Sequence, residues 1–417
     1  MKYILLIMLS WSITFASDAT IEVIKKAETL PSLAIEDASI NYDDTFKLRF
    51  FKMLVADMNV LSLFNVDRHH RIAHFNDVDV LVENKDAEYV LRYMMSQDDD
   101  ESLRVSVKLI NANEVIFSKN YKVSKKDSYY MFISHAIAYD INDYMGEPSV
   151  AWMKRKVIFS RVVAPRKSEI VIADYTLTYQ QAVIQGGFNL FPKWANKAQN
   201  AFYYSSLSGK VPTLKYVDLK TGTVQSVMSS DGMMICSDVS DDGNLLLLTM
   251  AKNGQPDIYT YDKKRNRLKR ETTYSGIDVN AQFRDRDSFV FISNRLGYPN
   301  VFAKKLGSDE VEQLVYYGRS NSACSAHGEY VVYKARETSN AFSKNTFNLH
   351  LISTKTDFIR RLTATGVNEF PRFSKDGDAI IFIKNYKNQS SIGIIRLNHN
   401  KNYLFPLKFG RVQSMDW

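Results

Sequence analysis

Three histidines, His69, His70 and His74, are the residues of this 417-residue chain whose types and spacing come nearest to a metal set. A pair four apart shares one face of a helix, and two such imidazoles bind zinc when a carboxylate completes the set. No carboxylate is spaced to do so here, and His69-His70 falls between a helical pattern and a strand pattern, so the group reads as structural or surface. Asp238-Val-Ser-Asp-Asp-Gly243 imitates the opening of a calcium loop, but its twelfth position is Thr249 instead of a carboxylate. His327 and His350 fall in one sequence repeat and His399 in another, too dispersed for a lyase-type metal site. The sequence contains no G-x-S-x-G elbow, no G-x-G-x-x-G and no P-loop. Hydrolase acyl transfer and nucleotide chemistry therefore lack their usual frames. The expectation is a non-enzymatic chain with no cofactor and no metal. The competing class is a propeller hydrolase or polysaccharide lyase with its active site in a channel, and it would need acid, base or metal groups converging there.

The elements that would position any site repeat along the second two-thirds of the chain. Trp194, Val239, Phe283, Cys324, Phe373 and Trp417 are spaced by 45, 44, 41, 49 and 44 residues. Gly follows four positions later at Gly243, Gly328 and Gly377, and a short β-rich run comes next. A second landmark, Asp174, Asp218, Asp262, Lys305, Ser353 and Asn398, keeps the same period. A fixed period of this length means one supersecondary unit repeated, and four short strands per unit is the signature of a propeller blade. Six second landmarks predict a six-bladed β-propeller over 150–417, the first blade starting near Val157. An open ring would leave a long unpaired edge, so Ser414–Trp417 is expected to return beside Val157. Asp242-Gly243 and Asp376-Gly377 then read as tight blade turns, which also disposes of the calcium loop.

Lys2 followed by an apolar run from Tyr3 to Phe15, with Thr14 and Ala16 as small residues, reads as a signal peptide over 1–16. No later segment is long and apolar enough to span a bilayer. The expected product is an exported soluble protein, a monomer, with net charge +8 for the whole chain. Export disfavours a nucleic-acid partner, and the dense basic run Lys263–Arg270 reads as a solvated hairpin. Cys236 and Cys324 lie two repeats apart, beyond disulfide reach in a six-fold ring, so both are expected as free thiols.

Residues 41–147 carry interleaved patterns of a small α/β domain. Phe50, Phe51, Leu54, Met58 and Leu61 form one helical stripe; Tyr130, Ile133, Ile137, Ile141 and Tyr144 form another, with a capping box from Ser124 to Asp127. Val78, Val80 and Val82 alternate as a strand. Leu103, Val105, Val107 and Leu109 alternate as a second, joined to Glu114–Tyr121 through Asn111-Ala112-Asn113. The whole is of the α+β class, an α/β domain followed by the propeller. Residues 17–40 fit neither pattern, and composition leaves open an edge strand or a mobile arm that adds to another protein's sheet.

The loops leading into the innermost strands converge on one channel mouth. They mix Asn, Ser and Asp with apolar tips, a mixture suited to a protein partner. Pro371-Arg-Phe-Ser-Lys-Asp-Gly377 resembles the P-x-W-S-P-D-G turn of the TolB family, periplasmic propeller proteins of the Tol–Pal system of Gram-negative bacteria, although Lys375 replaces the second Pro. Ser293-Asn-Arg-Leu-Gly297 with Asn300-Val301-Phe302 resembles that family's S-x-R-x-G…I-Y strand pair. Arg361-Leu362-Thr363 resembles its L-T blade ending, and Asp86–Leu91 its A-D-Y-L-V strand. The resemblance implies a periplasmic protein-protein interaction module supporting envelope integrity and constriction at cell division. Pal, a peptidoglycan-associated lipoprotein, would bind at Met233, Met234, Ile235, Asp278, Val279, Asn280, Ser320, Asn321, Asn368, Glu369 and Phe370. TolA would bind the arm at Asp18, Ala19, Thr20, Ile21, Glu22, Val23 and Ile24. Other outer-membrane or cell-wall proteins are further candidate partners.

Overall fold

In the computed structural model, residues 30–97, 102–123, 129–318, 320–337 and 346–417 are described. The signal-peptide reading, the arm residues Asp18–Ile24 and the Ser124–Asp127 cap lie outside them. The N-terminal domain begins with β1 (Ser32–Asp37), α1 (Asp44–Leu61), β2 (Asn65–Val66) and β3 (Arg71–Ile72). It continues with β4 (Tyr89–Gln97), β5 (Leu103–Asn111), β6 (Glu114–Val123) and α2 (Tyr130–Tyr144). The sheet runs β2-β1-β4-β5-β6, with β3 also on β1 and β1 parallel to β4. Both apolar stripes face this sheet, although Tyr144 at the end of the second is exposed. Ala112 and Asn113 form the β5–β6 turn, both in the left-handed region at φ 48 and 63, as a two-residue hairpin demands.

Two sequence expectations fail in this domain. Residues 32–37, counted with the arm, form the inner parallel strand, with Ile35 and Glu36 fully buried. Val78–Leu81 is a loop and Val82 opens a short 3-10 turn, with Val78 and Val82 exposed. Side chains take over its backbone bonds: the Arg92 guanidinium donates to the carbonyls of Asp77 and Asp79, at 2.6 and 2.8 Å, and Glu36 accepts from the Leu81 amide. Those bonds offered the segment an alternative to a strand ladder. The family-like segment Asp86–Leu91 enters β4 only from Tyr89.

The remaining described strands form four sheets of four and one of eight, which divides at a single parallel Phe347–Val367 pair, an arrangement that fits six blades of four around a channel. Blade 1 places the C-terminal Arg411–Asp416 innermost, against Val157–Ala164, Lys167–Ala173 and Gln180–Ile184. Asp416 pairs with Ile158 and Met415 with Phe159, so the chain's last strand closes the ring on its first blade. Innermost strands of blades 2 to 6 are Asn189–Trp194, Met234–Val239, Asp278–Phe283, Ala323–His327 and Val367–Phe373. Gly243 and Gly377 sit in the first hairpin turns of blades 3 and 6 at φ 71 and 81, where a side chain would be strained.

Blade 5 corrects the repeat register. Val239 pairs with Leu246, and Phe373 with Ile380; the equivalent pair in blade 5 is Ala326 with Val331. The landmark position is therefore Ala326, and Cys324 lies two residues earlier, because this hairpin is two residues shorter. Cys324 is nonetheless buried, as is Cys236, and both are free thiols.

The α/β domain packs at the rim where the innermost strands end. Trp152 meets Trp417 with ring centroids 5.8 Å apart, and Tyr175 packs on Trp152 and Phe405. One continuous apolar core runs through α1, α2 and the strands of blades 1 and 6.

Candidate functional site

Each innermost strand runs from a start rim to an end rim, so the channel has two mouths of different make. The start rim is where the predicted partner loops lie. Met233 is 40% exposed, while Ile235, Val279, Asn280, Ser320, Glu369 and Phe370 are half-buried. Four predicted contact residues are inside instead: Met234, Asp278, Asn321 and Asn368. They shape the loops. Asn368 Nδ2 donates to the carbonyls of Thr365 at 3.1 Å and Phe347 at 2.8 Å. Asn321 Nδ2 donates to Tyr317 O at 3.1 Å, and Asn189 Nδ2 to Gly186 O at 2.7 Å. Arg295 donates to the Asp278 carboxylate at 3.1 Å. A buried amide at the head of the strand thus ties its own loop in blades 2, 5 and 6, and in blade 4 Asp278 is held by Arg295 of the neighbouring turn, because a buried polar group must be satisfied locally.

The start rim also carries apolar groups that the sequence reading passed over. Ile277, Leu296, Tyr298, Tyr316, Tyr317, Tyr386 and Phe409 all lie in loops leading into an innermost strand or in second-to-third-strand turns, which reach the same rim. With Met233 they range from 40% to 72% exposed. Individually such residues are ordinary; here they cluster around one mouth as an exposed apolar surface. Phe191, Asn280 and Phe370 hold left-handed φ of 54, 57 and 50 at the bulges of blades 2, 4 and 6. For a phenylalanine this conformation costs about 1–2 kcal/mol. It turns Phe191 and Phe370 toward each other, centroids 6.3 Å apart, in front of the strand of blade 1 that separates their blades. A groove of about 490 Å³ opens beside them, lined by Gly366, Val367, Tyr386, Gln389 and Arg411.

Inside the channel, toward the end rim, the residue before each landmark alternates in kind from blade to blade. Blades 1, 3 and 5 present acceptors, Asp416, Asp238 and Ser325. Blades 2, 4 and 6 present Lys193, Gln282 and Arg372. Each acceptor takes the landmark amide of the following blade: Trp194 N to Asp416 at 3.0 Å, Phe283 N to Asp238 at 2.9 Å, Phe373 N to Ser325 at 3.2 Å. Lys193 Nζ stands 2.8 Å from both aspartates. Burial alone would push its ammonium down, but Asp238 and Asp416 outweigh it and hold the group above its ordinary value. The apparent calcium loop is therefore part blade stitch and part turn: Asp238 serves Lys193, and Asp242 accepts from Ser240 and Asn244.

The sequence reading also missed His135. It is wholly buried in α2, Nδ1 2.9 Å from Asp57 of α1 and Nε2 3.2 Å from Asp174 of blade 1. Both nitrogens face carboxylates, so both donate, and the ring is an imidazolium. Burial works against that charge, yet the two aspartates push the group up to about 9. Ser134 and Tyr175 add hydroxyl bonds to Asp57. Arg396 of blade 6 donates to the carbonyls at the end of α1, and the Tyr403 hydroxyl donates to Asn59 O at 3.0 Å. The cluster is sealed and clamps the domains together. His69 and His70 serve Asp67 and Asp37 respectively, and among the described residues no group of three or more His, Cys, Asp or Glu could hold a metal. No described helix is long and apolar enough to cross a membrane.

The family described as TolB beta propeller domain matches residues 150–417. The Tol-Pal system protein TolB of Wolinella succinogenes is 46% identical, covering 100% of both chains. The proteins of the same description from Helicobacter hepaticus and Campylobacter jejuni are each 39% identical, the latter over 97% of this chain and 96% of its own. Among solved structures, TolB from Acinetobacter baumannii superposes with a TM-score of 0.74 at 20% identity, over 93% of this chain and 98% of its own. That likeness bears on the fold.

Proposed function

We propose, for a chain that belongs to the TolB family of the Tol–Pal system, that it works in the periplasm as a docking protein whose start rim grips Pal. The observation that carries this reading is the ring of exposed apolar groups at that rim, from Met233 around to Phe409. An interface of this kind combines aromatic anchors with a polar surround. Here Asn280, Ser320 and Glu369 supply the polar part. Buried Met234, Asp278, Asn321 and Asn368 act on binding through loop shape, not contact. The α/β domain occupies the opposite rim, so it leaves this face open. The module is non-enzymatic, and its output is the assembly it joins.

TolA is the second partner of this reading, met by the arm at Asp18–Ile24 through strand addition, after removal of residues 1–16 on export. If the two bindings are coupled, each partner must prefer a different state of the arm.

Calorimetry with purified Pal and TolA tests both halves. Asn280→Arg and Tyr316→Ala/Tyr317→Ala should weaken Pal while leaving TolA unchanged. Deleting residues 17–26 should weaken TolA and spare Pal. Undiminished Pal affinity in both rim variants moves the site elsewhere, and undiminished TolA affinity in the deletion removes the arm from the reading.

A further inference from the structure

The end rim opens into a cavity of about 1080 Å³ whose wall holds an uneven set of charges. Its aspartates are all engaged. Asp238 and Asp416 hold Lys193. Asp241 meets Lys197 and Lys375 at 3.7 and 3.4 Å. Asp242 caps its own turn, Asp262 accepts from the Arg265 amide, and Asp285 accepts from Ser288.

Three of the four arginines in the same wall, Arg155, Arg284 and Arg372, are placed differently. Arg155 donates to the Lys197 carbonyl, Arg284 to the Thr354 hydroxyl and Arg372 to the Ser237 carbonyl, at 2.7, 3.0 and 3.3 Å. All three acceptors are neutral, and among the described residues none of the three arginines lies within ion-pair distance of a carboxylate.

Arg372 is the sharpest case. It is 9% exposed, and its Nη1 has no hydrogen-bond partner. The blade alternation explains why. Lys193 in blade 2 is flanked by Asp416 and Asp238 of blades 1 and 3, and bonds to both. Arg372 in blade 6 is flanked by blades 5 and 1, and blade 5 offers Ser325 where the other two acceptor blades offer aspartate, while Asp416 is turned to Lys193. A buried charge without a hydrogen-bonded counter-charge is costly. Nearby, Lys375 is lowered by its burial, which Asp241 opposes and Arg155 and Lys197 reinforce. A guanidinium prefers planar, two-oxygen acceptors.

We propose that the end-rim cavity binds a small oxyanion, a phosphate or a carboxylate, on Arg372, with Arg284 and Arg155 as the outer cations. The anion supplies the counter-charge that Ser325 withholds. This site lies at the opposite mouth from the apolar rim and does not depend on what that rim binds.

The test titrates the full chain with inorganic phosphate, and separately with acetate, at constant ionic strength by calorimetry. One saturable site for at least one of the two anions is expected, and which anion binds tells phosphate from carboxylate chemistry. Arg372→Gln should weaken it at least about tenfold, the range of a charged hydrogen bond. Ser325→Asp should weaken it comparably, by giving Arg372 an internal partner and completing the pattern of blades 1 and 3. That variant also decides the matter if Arg372→Gln fails to fold. Lys210→Gln, in the exposed start-rim turn of blade 2 away from this cavity, should bind as the parent does. Absence of saturable binding of either anion, or parental affinity in Ser325→Asp, overturns the proposal.

Discussion

The two mouths of one channel are made from the same six strands and differ in almost everything else. At the start rim the strands begin with buried amides that tie their own loops, and the loops push aromatic and aliphatic groups outward. At the end rim they finish in a stitched ring of Lys, Asp, Ser and Arg, covered on one side by the α/β domain. A repeat constrains backbone and core, because each blade must pack on its neighbours in the same way. It leaves the groups that face the channel free to diverge. The start rim exposes apolar side chains, and the end rim gathers charged ones.

The contrast is tested most severely at Lys193. Lys193→Met should cost about 3 kcal/mol, because it strands the buried Asp416 and the half-buried Asp238, and urea unfolding should show a matching fall in midpoint while Pal affinity stays unchanged in the folded fraction. A loss of Pal affinity instead would mean that the two mouths are not separate. The next effect is a pH dependence. The His135 imidazolium, held up to about 9 by Asp57 and Asp174 against burial, gives a stabilisation that is whole below its ordinary 6.5 and fades as pH rises through about 9. Asp174 is held low by His135 despite burial, so its share is lost as pH falls through the acid range. Thermal unfolding from pH 6 to 10 should therefore decline in the parent chain and flatten in His135→Gln; equal slopes would refute the clamp.

Smaller effects come from Phe370 at the start rim and Gly377 at the end rim. Phe370→Asn removes a strained left-handed phenylalanine and puts a tolerant residue there. Stability should change by no more than about 1 kcal/mol while Pal affinity falls, the reverse of Lys193→Met. Gly377→Ala would bring a Cβ within 2.3 Å of the His327 ring at φ 81, whereas Gly222→Ala at φ 71 meets nothing within 4 Å. Both pay the left-handed penalty of about 1 kcal/mol, so any excess loss in Gly377→Ala reports the packing of blade 6 on blade 5 at the end rim.

Local patterns carried far into this molecule. The helical stripes became α1 and α2, and the Asn111–Asn113 turn became a tight hairpin. The period set the blades, and the position of Trp417 anticipated closure by the last strand. The sequence reading failed where a distant residue outbid a local pattern. Val78–Val82 alternates like a strand, but Arg92 and Glu36 claim its backbone. Asn321 and Asn368 look like surface amides, but their carbonyl partners draw them inside. The blade 5 register slipped because a shortened hairpin conceals itself behind a glycine at the expected distance.

By itself, then, the sequence determined the repeat, the order of the two domains and the face on which each loop lies. These follow from periodicity, which short-range sterics and burial translate directly into strands and turns. Only the tertiary structure decided the chemistry. Asp57, His135 and Asp174 come from three separate segments, and Lys193 meets Asp416 across the closure of the ring. Arg372 lacks a counter-charge because of a serine 47 residues away in the chain. Interactions between charges depend on distance and burial in space, and neither is written in the spacing of residues along the chain.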